Sequence, residues 1–213
     1  MPLSKLLNKL SDDFNYESPM PLKVYEFGLN GEITSNMKSR LHRFMKKQLT
    51  EEDCMRHHKY NYDNIEGSAC PLPSTPYKAC IIIGGTNDLG NKNFSYGDIS
   101  ENLITMYDYC LEQADIEVVV VCSIPSSPLD GRHDEWYVSK KALVNKAIEE
   151  YATTKKTEKK IVFVDLMNGL NFNNCNPEEQ KLYWDDNLHF TPTGSDKLAE
   201  IIFNTLVSCK VVG

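Results

Sequence analysis

Apolar side chains recur along this chain with two different periods, and their alternation indicates the fold. Leu3, Leu6, Leu7, Leu10 and Phe14 stand at helical spacing behind a proline in a tolerated first-turn position, which predicts an amphipathic opening helix. Residues 22–27 are extended in character. The turn Gly28-Leu29-Asn30-Gly31 then leads into a helix with Ile33, Met37, Leu41, Phe44 and Met45 on one face. Residues 50–78 are polar, contain three prolines and keep no period, so they read as a long surface insertion. Three short β-branched runs follow at 79–83, 117–121 and 161–164. None alternates strictly, as expected of strands covered on both faces. Between and after them lie helical patterns: Ile99, Leu103, Met106, Tyr107 and Cys110, then Trp136, Leu143, Val144, Ala147, Ile148 and Tyr151, and finally Leu198, Ile201, Ile202 and Leu206.

Strands alternating with helices predict an α/β fold, a doubly wound and mostly parallel sheet with helices on both faces, in a single domain over 1–213. Such sheets bind ligands at the carboxyl ends of their strands. The turns at 28–34, 84–88 and 123–127 are therefore expected to face one common cleft.

Composition narrows the class. A chain of 213 residues, 41% apolar and 25% charged, can form one core without a disulfide or metal staple. Lys and Arg number 23 against 30 Asp and Glu, a net charge of −7, and no basic run could track a phosphate backbone, which argues against nucleic acid. The apolar run at 118–121 is strand-sized, far short of the ~20 residues of a membrane span. The seven cysteines are odd in number and scattered, so no disulfide framework is expected. Lys5, Lys9, Asp12 and Asp13 interrupt the leucines where a secretory signal would be continuous, and a reducing, cytoplasmic setting is the expectation.

Two segments carry candidate chemistry. In Gly84-Gly85-Thr86-Asn87-Asp88 a buried strand ends and Asn87 could aim an amide over the sheet edge; the same residues also make an ordinary strand-ending turn. In Asp186-Asn187-Leu188-His189 the spacing lets one turn bring carboxylate to imidazole, just before a helix that Thr191 can cap and Pro192 can open. A carboxylate on Nδ1 fixes the tautomer and leaves Nε2 as a base, although an Asp-x-x-His pair also serves as a plain hydrogen-bonded turn. Cys54, His57, His58 and Cys70 match no common zinc spacing and read as a solvated loop, so no metal is expected. Lys155, Lys156, Lys159 and Lys160 around Glu158 suit a helix end. Trp136 and Tyr137 could line a cleft or pack on the sheet, with packing favoured for Trp136. Cys122 reads as a packed thiol. A flavodoxin-like nucleotide binder would need a glycine-rich phosphate loop opening a helix, which the sequence lacks.

Taken in order on one chain, these segments resemble the SGNH, or GDSL-type, ester hydrolases over nearly the whole length. Gly28 to Thr34 resembles that family's second block, which implies Gly31 as a backbone donor to the oxyanion hole. Gly85-Thr86-Asn87-Asp88 resembles the third, implying Asn87 as side-chain donor. Asp186-Asn187-Leu188-His189 resembles the fifth, implying His189 as general base and Asp186 as its orienter. The resemblance implies a small-molecule ester substrate, an acyl or acetyl ester of a lipid or carbohydrate, and no cofactor.

One departure bears on activity. The family's nucleophile is the serine of a Gly-Asp-Ser turn after the first strand, and no Gly-Asp-Ser occurs in this sequence. Ser123, Ser126 and Ser127 follow a strand but sit on no sharp strand-to-helix elbow. The first strand and its turn, roughly ten to twenty residues by usual lengths, are therefore expected to be missing, as in a truncated gene model or splice form. The chain as given is expected to be inactive. The alternative is a non-catalytic binding module that keeps the ester- or sugar-binding cleft.

Overall fold

The computed structural model describes residues 27–46, 77–131 and 135–211. The predicted opening helix, all but Phe27 of the 22–27 strand, most of the 50–78 insertion and the Cys54, His57, His58, Cys70 group lie outside the described residues. In chain order the elements are α1 (Thr34–Met45), β1 (Ala79–Ile82), a single turn α2 (Thr86–Leu89), α3 (Tyr96–Glu112), β2 (Val118–Cys122), α4 (Glu135–Thr154), β3 (Lys160–Val164), a single turn α5 (Leu166–Gly169), α6 (Pro177–Tyr183) and α7 (Pro192–Ser208). Among the described residues none of the helices is long and apolar enough to cross a membrane.

The three described strands form a parallel sheet in the order β1-β2-β3, with Ala79 opposite Val118 and Val118 opposite Lys160. Period-two alternation divides the core. Val119 and Val121 join the layer of Ile99, Leu103, Met106, Tyr107, Val144 and Ile148, against which Met37, Leu41 and Met45 of α1 also pack. Val120, Cys122, Val162 and Val164 face the opposite layer, filled by Ala199, Ile202, Phe203 and Leu206 of α7. Helices thus cover both faces, as the patterning predicts. Continuous valine at 118–121 reflects burial on both sides. One position departs from the prediction: Leu143 is 43% exposed, and the inward face of α4 is instead Tyr137, Lys141, Val144 and Ile148. Trp136 is half-buried against the core, with the ammonium groups of Lys92 and Lys140 over its ring.

The helix ends are well specified locally. Ser95 caps α3 in a capping box with Asp98, and Asn176 does the same for α6 with Glu179. Thr191 caps α7 by accepting from Gly194 N, with Pro192 in its first turn, as the sequence predicts. The lysines beyond α4 serve as local ties. Lys155 pairs with Asp108, Lys159 donates to the Gln113 carbonyl and Lys160 to the Cys209 carbonyl.

The most consequential fold contact is polar. After β2 the chain runs through 123–131 at the carboxyl edge of the sheet, where Asp130 and Lys141 form a buried ion pair at 2.7 Å with side chains 1% and 2% exposed. Lys141 Nζ also donates to the Pro125 carbonyl at 2.9 Å, and Asp130 Oδ2 accepts from Ser126 Oγ and Ser127 N at 2.9 Å each. One turn further along α4, Asn145 takes both backbone groups of Ile124: Oδ1 accepts from its N–H at 2.7 Å and Nδ2 donates to its carbonyl at 3.1 Å. Removing one partner of such a pair leaves a buried charge uncompensated, so Lys141→Met is expected to cost about 3–5 kcal/mol in urea unfolding. Lys78→Met, which breaks the exposed Lys78–Glu117 pair, is expected to leave the midpoint unchanged.

Candidate active site

The 28–34 and 84–88 turns are bonded to one another. Gly31 takes φ +72 at the third position of a turn closed by Glu32 N donating to the Leu29 carbonyl at 3.3 Å. Gly85 takes φ +99 before α2, and a Cβ there would stand 2.9 Å from Ile124 Cδ1, so both backbone conformation and space require glycine. This bend brings Asn87 Nδ2 within 2.9 Å of the Glu32 carbonyl, to which it donates. Beside it, the buried Asp88 carboxylate accepts from Thr34 N at 3.1 and 3.0 Å and from Thr34 Oγ1 at 2.6 Å. Asn102 of α3 donates to the same Thr34 hydroxyl at 3.2 Å, and Glu32 is gripped by Arg40 through two contacts at 2.9 and 2.5 Å. Burial pushes the Asp88 carboxyl above its ordinary 3.8, opposed by the hydrogen bonds from Thr34. An amide nitrogen carries two N–H groups, and one of Asn87's is engaged with Glu32. Its second N–H and the Gly31 N–H have no hydrogen-bond partner among the described residues.

His189 and Asp186 meet in the loop between α6 and α7. Trp184 and Phe190 form an antiparallel bridge that closes the loop, and Asp185 N donates to the His189 carbonyl at 2.9 Å. Asp186 Oδ1 accepts from Leu188 N and His189 N at 2.7 Å each, while Oδ2 lies 2.8 Å from His189 Nδ1. These bonds, chiefly those from His189, hold the Asp186 carboxyl down to about 2 from its ordinary 3.8. Both side chains remain open to solvent, 65% for His189 and 53% for Asp186. No hydrogen bond among the described residues uses Nε2 of His189. The loop has little room for change, because a Cβ on Gly194 would fall 2.1 Å from the Tyr183 carbonyl oxygen.

No hydrogen bond among the described residues joins the Asp186–His189 pair to Gly31 or Asn87. What relates them is the post-β2 segment between them. Ile124 packs against Gly85 on one side. On the other, the buried Trp184 indole N–H donates to the Ser126 carbonyl at 3.3 Å, and Ser126 Oγ accepts from Phe172 N at 3.0 Å. Trp184 packs edge-on against Phe172 at 5.2 Å and against Phe190 at 5.5 Å. Both motifs therefore attach to one rigid support at the carboxyl edge of the sheet.

The serines of that support are structural. Ser123 Oγ accepts from Met167 N at 2.9 Å, Ser126 Oγ lies between Asp130 and Phe172, and Ser127 is 3% exposed. Cys122 is a packed thiol whose pKa is raised by burial. Sequence reasoning did not single out Asp88, Lys141, Asn145 or Trp184. Lys141 carried a legible signal, since it falls on the apolar face of α4 between Tyr137 and Val144.

Residues 8–197 match the GDSL-like Lipase/Acylhydrolase family, and the chain belongs to that family. Two solved structures are similar in fold. One is a carbohydrate esterase family 3 protein from Talaromyces cellulolyticus, with a TM-score of 0.55, 16% identity, and coverage of 93% of this chain and 78% of that one. The other is a mutant acetyl esterase with an acetate ion, with a TM-score of 0.61, 14% identity, and coverage of 100% of this chain and 93% of that one. No curated protein matches the chain.

Two measurements check this geometry. A carboxyl held below its unfolded pKa, near 3.9, contributes stability that is complete above about pH 4 and is lost as the pH falls through the folded value. The Asp186 13C resonance should accordingly titrate near pH 2 and move back toward 3.8 in His189→Ala. Asp88→Ala leaves the buried Thr34 N–H unpaired, so it should cost about 1–3 kcal/mol and shift the Asn87 side-chain amide resonances.

Proposed function

We propose that this chain carries the base and oxyanion half of a carboxylic ester hydrolase acting on acyl or acetyl esters. His189 is the general base, Asp186 its orienter, and Gly31 N–H and Asn87 Nδ2–H are the oxyanion donors. The observation that carries this reading is the Nδ1 to Oδ2 contact of 2.8 Å with Nε2 left open, on the same support as two uncommitted N–H donors. Membership of an acylhydrolase family supports ester chemistry, and the two esterases of similar fold support an acetylated carbohydrate as the substrate class.

In this mechanism His189 Nε2 removes the proton of a serine hydroxyl as the oxygen attacks the ester carbonyl, and Asp186 steadies the imidazolium. The imidazolium returns the proton to the leaving alcohol. Water, deprotonated by the same imidazole, then splits the acyl-enzyme. Each well-aimed donor to the tetrahedral oxyanion contributes about 3–4 kcal/mol to the barrier reduction. No described serine is placed as the nucleophile and no Gly-Asp-Ser occurs in the sequence, so the 213 residues alone are inert in this proposal. The same absence favours a second reading, a non-catalytic module that binds an acylated or sugar ligand at this edge. The compartment we propose is the cytoplasm, supported by the scattered, unpaired thiols of Cys80, Cys110, Cys122, Cys175 and Cys209.

Hydrolysis of p-nitrophenyl acetate tests the reading. The 213-residue protein is expected to be no faster than its His189→Ala variant. Joined in frame to an N-terminal strand ending in Gly-Asp-Ser, it should gain turnover that falls roughly 10²–10³-fold on Asn87→Ala and to background on His189→Ala. Turnover by the 213 residues alone that His189→Ala abolishes would contradict the inactivity. An extended chain that binds acetate without turnover would favour the module.

A further inference from the structure

We propose that Asn30 is a site of spontaneous deamidation and that its product disables the Gly31 donor; the second half rests on the hydrolase reading above. The chain contains two Asn-Gly steps, Asn30-Gly31 and Asn168-Gly169. A glycine after asparagine leaves its amide nitrogen uncrowded, which is the first requirement for attack on the neighbouring side chain. The structure then separates two identical dipeptides.

Asn30 and Gly31 form the exposed tip of the turn from Leu29 to Glu32. Among the described residues no hydrogen bond holds the Asn30 carboxamide or the Gly31 N–H, and a Cβ built on Gly31 meets nothing within 4 Å. At Asn168 all the reacting groups are tied. Its Nδ2 donates to Asp165 Oδ2 at 2.6 Å and its N–H to Asp165 Oδ1 at 3.1 Å, while Gly169 N–H donates to the Asp165 carbonyl at 3.0 Å within α5. A Cβ on Gly169 would also stand 3.1 Å from Ile201.

The chemistry needs only water. Gly31 N gives its proton to solvent base and bonds to Asn30 Cγ; the Cγ–Nδ2 bond breaks and ammonia leaves, closing a succinimide. Water then opens the ring. Cleavage of the bond from Gly31 N to the Asn30 Cγ carbonyl yields aspartate, and cleavage of the bond to the main-chain carbonyl yields isoaspartate. Either product places a carboxylate one residue from a donor that must meet a developing oxyanion, where like charge is repelled. Isoaspartate also adds a methylene to the main chain directly before the Gly31 N–H.

The test ages the folded 213-residue protein at mildly alkaline pH, with peptide mass mapping and isoaspartate-specific methylation as readouts. The peptide containing residue 30 should gain the amide-to-acid mass increment at least roughly tenfold faster than the one containing residue 168, as expected when several hydrogen bonds must open at the slower site. Asn30→Gln should abolish the signal at residue 30. Equal rates at the two sites, or a residue 30 that stays amidated while urea-unfolded protein converts, would overturn the site. Acetate affinity, followed by NMR, should fall in aged protein and persist in aged Asn30→Gln; unchanged affinity after full conversion would overturn the link to Gly31. Fresh protein that binds no acetate would count against the hydrolase reading instead, and the mass readout decides the modification by itself.

Discussion

A single buried ion pair, Asp130 with Lys141, holds the segment on which both halves of the candidate site rest. The segment has no regular hydrogen-bonding pattern until its 3-10 turn at Pro128–Gly131, so its buried polar groups must find partners elsewhere. Helix α4 supplies them. Lys141 reaches Asp130 and the Pro125 carbonyl, and Asn145, one turn along the same face, takes both backbone groups of Ile124. An ammonium so deeply buried is costly, and burial pulls the Lys141 pKa below its ordinary value while Asp130 opposes the shift. The gain is a loop with defined geometry at the edge of the middle strand.

From that loop the two motifs diverge. Toward β1, Ile124 meets the Cα of Gly85, the left-handed residue from which α2 presents Asn87 and Asp88. Those two neighbours have different jobs. Asp88 is buried and fastens Thr34, while Asn87 stays at the surface with one N–H on the Glu32 carbonyl and the other uncommitted. On the other side, Trp184 anchors the loop that carries Asp186 and His189. Here the polar atoms are exposed and the rigidity comes from beneath, through rings of Phe172, Trp184 and Phe190. Buried anchors thus hold exposed polar groups in a defined geometry at the carboxyl edge of the sheet.

Much of this architecture was legible along the chain. The β-branched runs located three strands to within a residue, and the helical spacings marked the inward faces of four long helices without fixing their ends, because burial on both faces leaves a continuous apolar signature and one-sided burial leaves a periodic one. Thr191 and Pro192 announced the start of α7, and the Asp186–His189 contact followed from three-residue spacing. Leu143 misled because periodicity alone cannot tell which of two adjacent positions turns inward. Lys141 lies on the inward face, which the apolar spacing did not indicate, since the partner that neutralises it lies in another segment.

Local chemistry could be read along the chain: three strands, four long helices, the Thr191 cap, the Asp-x-x-His turn and the glycine turns at 28–31 and 84–85. Packing between distant segments set which groups meet, with Asp88 on Thr34, Ile124 against Gly85 and Trp184 on Ser126. The fold also gave two identical Asn-Gly steps opposite surroundings, one bare at a turn and one locked by Asp165. The physical reason is that caps and turns arise from interactions a few residues apart, whereas a buried polar group is satisfied by whatever side chain the packing of layers brings to it.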